Sequence, residues 1–264
     1  SNWFYLPRIS PAMSFHFLTA LPVYNEIDYV DDVLEAVRQY SDNILVIDDG
    51  STDGTSKRVA RHSDVQVARH DQNQGYGAAL KTAFQHAMTN GYDVVVTIDC
   101  DGQHEPVRIP QFVTACRDAE IVSGSRYLQK FEGDTDPPQD RMRVNKQVLV
   151  ELKRRLNLDL TDAFCGFKAY RVDALSQLTI TENGYAMPLE LWVQAVHHGL
   201  KIKELPVPLI YLDESRSFGG VLEEATARLQ YYHLVLDRSI LAARDGSEGI
   251  LAGMTCHEER ESTA

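Results

Sequence analysis

Asp99 and Asp101 stand two residues apart at the end of the β-branched apolar run Val94-Val95-Val96-Thr97-Ile98, with Cys100 between them. Side chains alternate faces along a strand, so both carboxylates point one way and Cys100 the other. Two carboxylates on one face repel each other unless a cation lies between them. Hard oxygen ligands of this kind suit Mg2+ or Mn2+, and an ion held by only one or two carboxylates completes its shell with water and substrate phosphates. A metal-bound diphosphate is therefore the first substrate to suspect. A lone D-x-D also occurs as a solvated acidic turn, so the choice rests on its company elsewhere in the chain.

Two further strand ends carry polar clusters. Pro22-Val23-Tyr24-Asn25-Glu26 follows an apolar run at 15–21, and Asp48-Asp49-Gly50-Ser51-Thr52-Asp53-Gly54-Thr55 follows Ile44-Leu45-Val46-Ile47. Thr52 or Asp53 can cap a following helix, which accounts for Asp53 but not for Asp48 and Asp49. Asn73-Gln74-Gly75-Tyr76-Gly77-Ala78-Ala79-Leu80 has the look of a dinucleotide fingerprint, but Leu80 stands where the third glycine belongs. A glycine pair at a helix start fits better, with the helix N-terminus able to face an anion.

Strand ends need a sheet to hold them. The first half alternates strand 15–21, helix 28–40, strand 43–48, helix from 53, strand 65–68, helix 76–88, strand 94–98, helix 106–117 and strand 120–123. This alternation predicts an α/β fold with a mostly parallel sheet and helices on both faces, whose ligands bind beyond the carboxyl ends of the strands. The second half reads as a loop at 129–140, a basic amphipathic helix at 141–156, a strand at 166–170, a helix at 187–198, a strand at 201–211 and a last helix at 221–243. Residues 1–13 read as an N-terminal extension or cloning remnant, with Met13 a candidate natural start. Residues 14–243 form the expected domain, and 244–264 a polar tail expected to fray.

With 264 residues, 44% hydrophobic and 24% charged, the chain can bury one large core. A formal charge of −12 argues against nucleic acid, whose binders carry a basic footprint. The four cysteines, at 100, 116, 165 and 256, lack C-x-x-C spacing, which points to a reducing, cytoplasmic compartment. No apolar run reaches the roughly 18–20 residues that cross a bilayer. The expectation is a cytoplasmic protein, soluble or peripherally attached to the membrane.

The clusters Pro22–Glu26, Asp48–Thr55, Asn73–Ala79, Asp99–Pro106, Ser123–Tyr127 and Thr161–Arg171 occur in an order that resembles the inverting family 2 glycosyltransferases of the GT-A fold. The resemblance spans roughly residues 18–232 and is nearest to dolichyl-phosphate (polyprenyl-phosphate) mannosyltransferases and their bacterial relatives. It implies transfer, with inversion, of a hexose such as mannose or glucose from an NDP-sugar (GDP-mannose or UDP-hexose) to a polyprenyl phosphate. It further implies that Pro22, Tyr24, Glu26, Ile47 and Asp49 hold the base and ribose, with Asp99, Cys100, Asp101 and Gln103 at the diphosphate. Asp99, Asp101 and Gln103 would surround Mg2+ or Mn2+, and His104 stands beside them.

By the same resemblance, Arg126, Arg141 and Asn145 meet the acceptor phosphate, Asn145 replacing a usual Ser. Arg216 lies on a loop over the donor, and Asp101, Arg126 and Asp162 are catalytic. Asp162 reads either as a base or orienting group near the acceptor or as a loop-capping acid. Gly219-Gly220-Val221-Leu222 stands where the family often has a lysine, which leaves the donor's identity open. Ser215–Gly220 reads as a lid carrying Arg216 to the diphosphate, or as a loop in which Arg216 pairs with Asp213 or Glu214.

Elementary chemistry agrees with this resemblance. Sugar transfer passes through an oxocarbenium-like transition state as a diphosphate leaves, so neutralising that leaving group supplies the largest gain. A phosphate acceptor is ionised at neutral pH and needs no strong base, unlike a non-lipid hydroxyl acceptor. In the helix at 141–156, Val144, Val148, Leu152 and Leu156 share a face, opposite a basic surface that reads either as solvated or as membrane-facing. Rival readings are an NDP-sugar nucleotidyltransferase and a non-catalytic nucleotide-sugar sensor. The former should carry a basic glycine-rich loop where Tyr24-Asn25-Glu26 stand.

Overall fold

The computed structural model describes residues 15–211 and 224–245. In chain order the elements are β1 (Phe17–Val23), α1 (Val30–Arg38), β2 (Ile44–Asp48), α2 (Thr55–Val59), β3 (Gln66–Arg69), α3 (Tyr76–Thr89) and β4 (Val94–Thr97). A 3-10 turn (Pro106–Arg108) leads into α4 (Ile109–Ala115), followed by β5 (Ile121–Ser125), α5 (Gln139–Leu156), β6 (Lys168–Arg171) and α6 (Val172–Leu175). Then come α7 (Met187–His197), β7 (Ile202–Pro206) and α8 (Ala225–Asp245).

The strands form one sheet in the order β3-β2-β1-β4-β6-β5-β7. All neighbours are parallel except β6, which runs antiparallel to β4 and β5. The α/β, mostly parallel architecture expected from the alternation is present. The reversed β6, the short α6 and the strand ending at Pro206 rather than 211 are not what the pattern suggested. A short apolar run does not encode its own direction, because both polarities satisfy period-2 alternation.

Each face of the sheet carries a core. Leu18, Ala20, Leu45, Ile47 and Val95 pack beneath α3, α5, α7 and α8, whereas Leu21, Val23, Ile44, Val46, Val94 and Val96 pack against α1 and α4. The β4 ladder ends at Thr97, but the alternation continues past it. Ile98 and Cys100 are 0% and 1% exposed in the α4-side core, so Asp99 and Asp101 turn to the other side. In α5, Val144, Val148 and Leu152 face the core, which assigns the apolar stripe to packing. Among the described residues no helix is long and apolar enough to cross a membrane.

Gly75 and Gly77 permit a close approach of α3 to residues 182–184. A Cβ at Gly77 would lie 2.5 Å from the Glu182 carbonyl oxygen, and the Ala78 N–H donates to the Asn183 carbonyl at 3.1 Å. Alanine ordinarily strengthens a helix, yet Gly77→Ala should lower stability by about 1–3 kcal/mol through overpacking. Chemical denaturation tests this, and a raised midpoint would show that the 182–184 contact does not restrain α3.

Candidate functional site

The carboxyl ends of β1, β2 and β4 meet at one rim, tied together before any ligand is considered. Asn25, at φ 56°, donates its N–H to the Ser51 hydroxyl at 3.0 Å and accepts from the Thr52 N–H at 2.8 Å, joining the loops after β1 and β2. Asp48 accepts from the Ser51 N–H at 2.9 Å and from the Ser56 hydroxyl. Asp53 accepts the Thr55 N–H at 2.9 Å, although Gly54, at φ 105°, is the residue flanking α2.

Asp49 is 3% exposed and accepts from His70 Nδ1 at 2.6 Å and from the N–H groups of Gln74 and Gly75 at 2.9 and 2.8 Å. The anion at the N-terminal end of α3 is thus the protein's own carboxylate, a favourable arrangement for a helix dipole.

Asp99 lies further along the rim. Its carboxylate accepts from the Tyr76 hydroxyl at 3.1 Å and lies 3.4 Å from His104 Nε2. Burial alone would raise its pKa, but His104, Tyr76 and the Lys168 charge outweigh that and hold it below the usual carboxylate range. Burial and the Asp99 charge in turn push the Tyr76 phenol well above its ordinary value, so it stays a donor. Asp99 also presses on the backbone: a Cβ at Gly166 would fall 2.0 Å from its Oδ2. Asp101 accepts the Gln103 N–H at 3.0 Å in a tight turn through Gly102, at φ 72°. His104 Nδ1 is buried with no hydrogen-bond partner among the described residues.

Across the pocket, Arg126 grips Asp162 with two guanidinium hydrogen bonds of 2.7 and 2.9 Å. Asp162 is 0% exposed and also accepts the N–H groups of Arg126 and Phe164. Burial would raise its pKa, but the Arg126 charge and these bonds outweigh it and keep it low. Glu204 on β7 accepts from the Thr161 N–H and hydroxyl and the Asp162 N–H at 2.9–3.0 Å, fixing the turn that carries Asp162. Lys168 is buried beneath, donating to the Cys165 carbonyl and lying 5.4 Å from the Trp192 ring centre. Asn145 accepts the Ala163 N–H at 3.0 Å and donates to the Thr161 carbonyl at 3.3 Å.

A cavity of about 410 Å3 joins these parts. Tyr24, Glu26, Asp99, Asp101, Gln103, Arg126, Arg141 and Asn145, all named by the sequence, line it, with His104 beside them. Pro22, Ile47, Asp49, Cys100 and Asp162 stand behind this wall rather than on it. Arg216 and its proposed lid lie outside the described residues.

Tyr185, Tyr211, Arg228 and Tyr232 also line it and were not singled out by the sequence. They come from three separate stretches, 185, 211 and 228–232, and only Arg228 and Tyr232, one turn apart on α8, share a local spacing. Tyr185 stacks on Tyr76 with ring centres 5.7 Å apart, and Tyr232 on Phe164 at 4.9 Å. The Arg141 guanidinium lies 5.6 Å from the Tyr211 ring centre. The cavity is therefore acidic at the β4 end, basic at the α5 end and aromatic between them.

Residues 19–179 match the family model for glycosyl transferase family 2. The chain is 31% identical over 240 residues to undecaprenyl-phosphate mannosyltransferase of Micrococcus luteus, covering 87% of this chain and 98% of that protein. It is 28% identical over 223 residues to polyprenol monophosphomannose synthase of Mycolicibacterium smegmatis, covering 79% and 83%. Glucosyl-3-phosphoglycerate synthase of Mycobacterium tuberculosis superposes with a TM-score of 0.67 at 21% identity, over 86% of this chain and 81% of that one. A structure of that synthase with Mn2+, UDP-glucose and phosphoglyceric acid superposes with a TM-score of 0.65 at 20% identity, over 86% and 80%.

The depressed pKa of Asp162 gives a pH signature. Its contribution to stability should be complete above the unfolded carboxylate pKa of about 3.9 and be lost as pH falls through the lower folded value. Asp162→Asn should cost about 3 kcal/mol near neutral pH, because Arg126 loses its buried partner, and should flatten the acid limb of the stability curve. Equal acid limbs in variant and wild type would show that the pair contributes nothing.

Proposed function

The chain belongs to glycosyl transferase family 2, and from that premise we propose that this glycosyltransferase moves a hexose from an NDP-sugar to a polyprenyl phosphate with inversion. The observation that carries this reading is the polarity of one cavity, with Asp99, Asp101 and Gln103 on one wall and Arg141 and Asn145 on another. Mannose is the sugar named for both relatives described above, and it is the hexose we favour.

Among the described residues no group of three or more His, Cys, Asp or Glu is preassembled for a metal. Asp99, Asp101 and Gln103 would hold Mg2+ or Mn2+ only together with diphosphate oxygens and water, the mode in which such ions bind at one or two carboxylates. The buried, unpartnered Nδ1 of His104 beside them fits an additional polar group at this end. When bound, the ion would offset negative charge on the departing diphosphate. Tyr24 and Glu26 would face the base and ribose, with Pro22, Ile47, Asp49 and Cys100 shaping that wall from behind. Arg216 would approach the donor from the segment after β7.

Arg141 and Asn145 would orient the acceptor so that a phosphate oxygen bonds to the anomeric carbon as the bond to the diphosphate oxygen breaks on the opposite side. An ionised phosphate needs no base, and an Asp162 carboxylate held below its usual range is a weak one. Asp162 therefore serves in this reading to orient Arg126.

The outward face of α5 exposes Met142, Arg143, Lys146, Val150, Lys153 and Arg154, next to the edge that lends Arg141 to the cavity. We read this face as a peripheral contact with anionic lipid at the cytoplasmic side of a membrane. Lys146→Glu with Lys153→Glu should reduce co-sedimentation with phosphatidylserine vesicles. Undiminished binding would remove this face from the membrane.

The direct test combines purified protein, polyprenyl phosphate and a panel of NDP-hexoses with Mn2+. Wild type should form a polyprenyl-phosphate hexose with inverted anomeric configuration. Asp101→Asn should lower the rate by about two to three orders of magnitude, as expected for losing a main electrostatic stabiliser. Full turnover by that variant in excess EDTA would refute the metal assignment.

A further inference from the structure

We propose that Tyr185, stacked on Tyr76, is the platform on which the hexose of the NDP-sugar lies. This inference rests on the donor reading above and deepens it by naming the group that meets the sugar itself. Tyr185 lines the cavity and is 41% exposed, and its ring stacks on that of Tyr76 with centres 5.7 Å apart and planes 16° from parallel. An aromatic ring in a cavity wall offers apolar area and an electron-rich face. A hexose has the matching surface: its ring hydrogens are weakly positive and pack on such a face, while its hydroxyls stay at the edge.

Covalent connectivity decides which part of the substrates the pair meets. The Tyr76 hydroxyl donates to Asp99 at 3.1 Å, so the stack starts at the acidic end of the cavity and Tyr185 extends it. In the donor reading Asp99 borders the diphosphate, with the base and ribose toward Tyr24 and Glu26. The hexose is bonded directly to that diphosphate, whereas the prenyl chain is separated from it by both the hexose and the acceptor phosphate. On the side of the diphosphate away from the nucleoside, the first group within reach of rings anchored at Asp99 is therefore the sugar.

The platform is built before any ligand arrives. Glu182, 4% exposed, accepts from the Gly184 N–H at 2.9 Å, the Tyr231 hydroxyl at 2.8 Å and the Arg238 guanidinium, which ties the turn before Tyr185 to α8. Glu190 on α7 accepts the N–H groups of Thr181 and Glu182 at 2.9 and 2.7 Å. From α3, Lys81 donates to the Thr181 carbonyl at 3.3 Å and Ala78 to that of Asn183 at 3.1 Å. The helix that starts with Tyr76 and the turn that ends in Tyr185 are thus fastened to each other. Rings held in this way lose little freedom when a sugar settles on them.

The test is titration calorimetry with Mn2+ on wild type, Tyr185→Leu, Tyr185→Ala and Tyr185→Phe, each against GDP and GDP-mannose and against UDP and UDP-glucose. For the nucleotide pair that wild type binds, the NDP-hexose Kd should rise about 3- to 10-fold in the Leu and Ala variants, the range for losing an aromatic packing partner. The Kd for the NDP alone should not move, which also shows that the variant is folded with its diphosphate end intact. Tyr185→Phe keeps the ring and should stay near wild type. Tyr185→Leu keeps apolar bulk and so keeps the question answerable if the Ala variant does not fold.

Equal weakening of NDP and NDP-hexose would overturn the inference, because the ring would then serve the nucleotide or the fold. An unchanged NDP-hexose Kd together with a raised acceptor KM would overturn it in favour of the prenyl chain. A loss in Tyr185→Phe as large as in Tyr185→Leu would also overturn it, by making the hydroxyl rather than the ring the contact. Each of these outcomes leaves the donor reading intact. A wild type that binds no NDP-hexose would refute the donor reading, and the inference with it.

Discussion

Asp99 rests its carboxylate against the main chain of Gly166, and much of the site depends on that contact. A side chain at 166 would enter the carboxylate itself, with a Cβ 2.0 Å from Oδ2. The same turn is tied to β4 by the Thr97 hydroxyl, which donates to the Gly166 carbonyl at 2.8 Å. Because Gly166 lies two residues before β6, the reversed strand can lie beside β4 with the rim acid still in place. The segment that closes over Asp99 is also the one that carries Asp162. The acidic and basic ends of the cavity are thus set by one stretch of chain, 161–167.

Holding charges in that stretch requires partners for each. Asp162 has Arg126, the turn at 161–162 has Glu204, and the buried Lys168 donates to the Cys165 carbonyl, its pKa lowered by burial against the opposing charges of Cys165, Asp162 and Asp99. Removing one member of such a set leaves another buried and uncompensated, so these groups rise or fall together. Rigidity here has a functional use. A reacting phosphate and an anomeric carbon must be aligned closely for the transfer to be fast, and a cavity wall made of satisfied ion pairs does not need to reorganise. At the carboxyl end of β2, Asp49 plays the matching part by binding the loop at 74–75, while Tyr24 and Glu26 face the cavity.

The parts of this arrangement readable in the sequence are those with a local period. The alternation through Val94–Asp101 separated Cys100 from the two acids, and it survives past the end of the strand. The stripe of Val144, Val148 and Leu152 marked the buried face of α5. What the sequence did not reveal depends on contacts between distant segments. Asp49 looked like a ligand-facing acid because its three donors lie 21–26 residues away. Glu204 reads as an ordinary strand residue until the turn at 161–162, 42–43 positions earlier, is brought against it. Arg228, Tyr185 and Tyr232 join the cavity only because α8 packs on both α5 and α7, and no spacing announces that.

The central claim is that one cavity holds two anions, a diphosphate at the β4 wall and a phosphate at the α5 wall. Anomalous diffraction from crystals containing NDP and Mn2+ tests it most directly. The expected result is a manganese peak bounded by Asp101, Gln103 and the nucleotide diphosphate, next to Asp99, with the space beside Arg141 and Asn145 free of nucleotide. A manganese peak away from Asp99 and Asp101, or a diphosphate seated on Arg141, would contradict it.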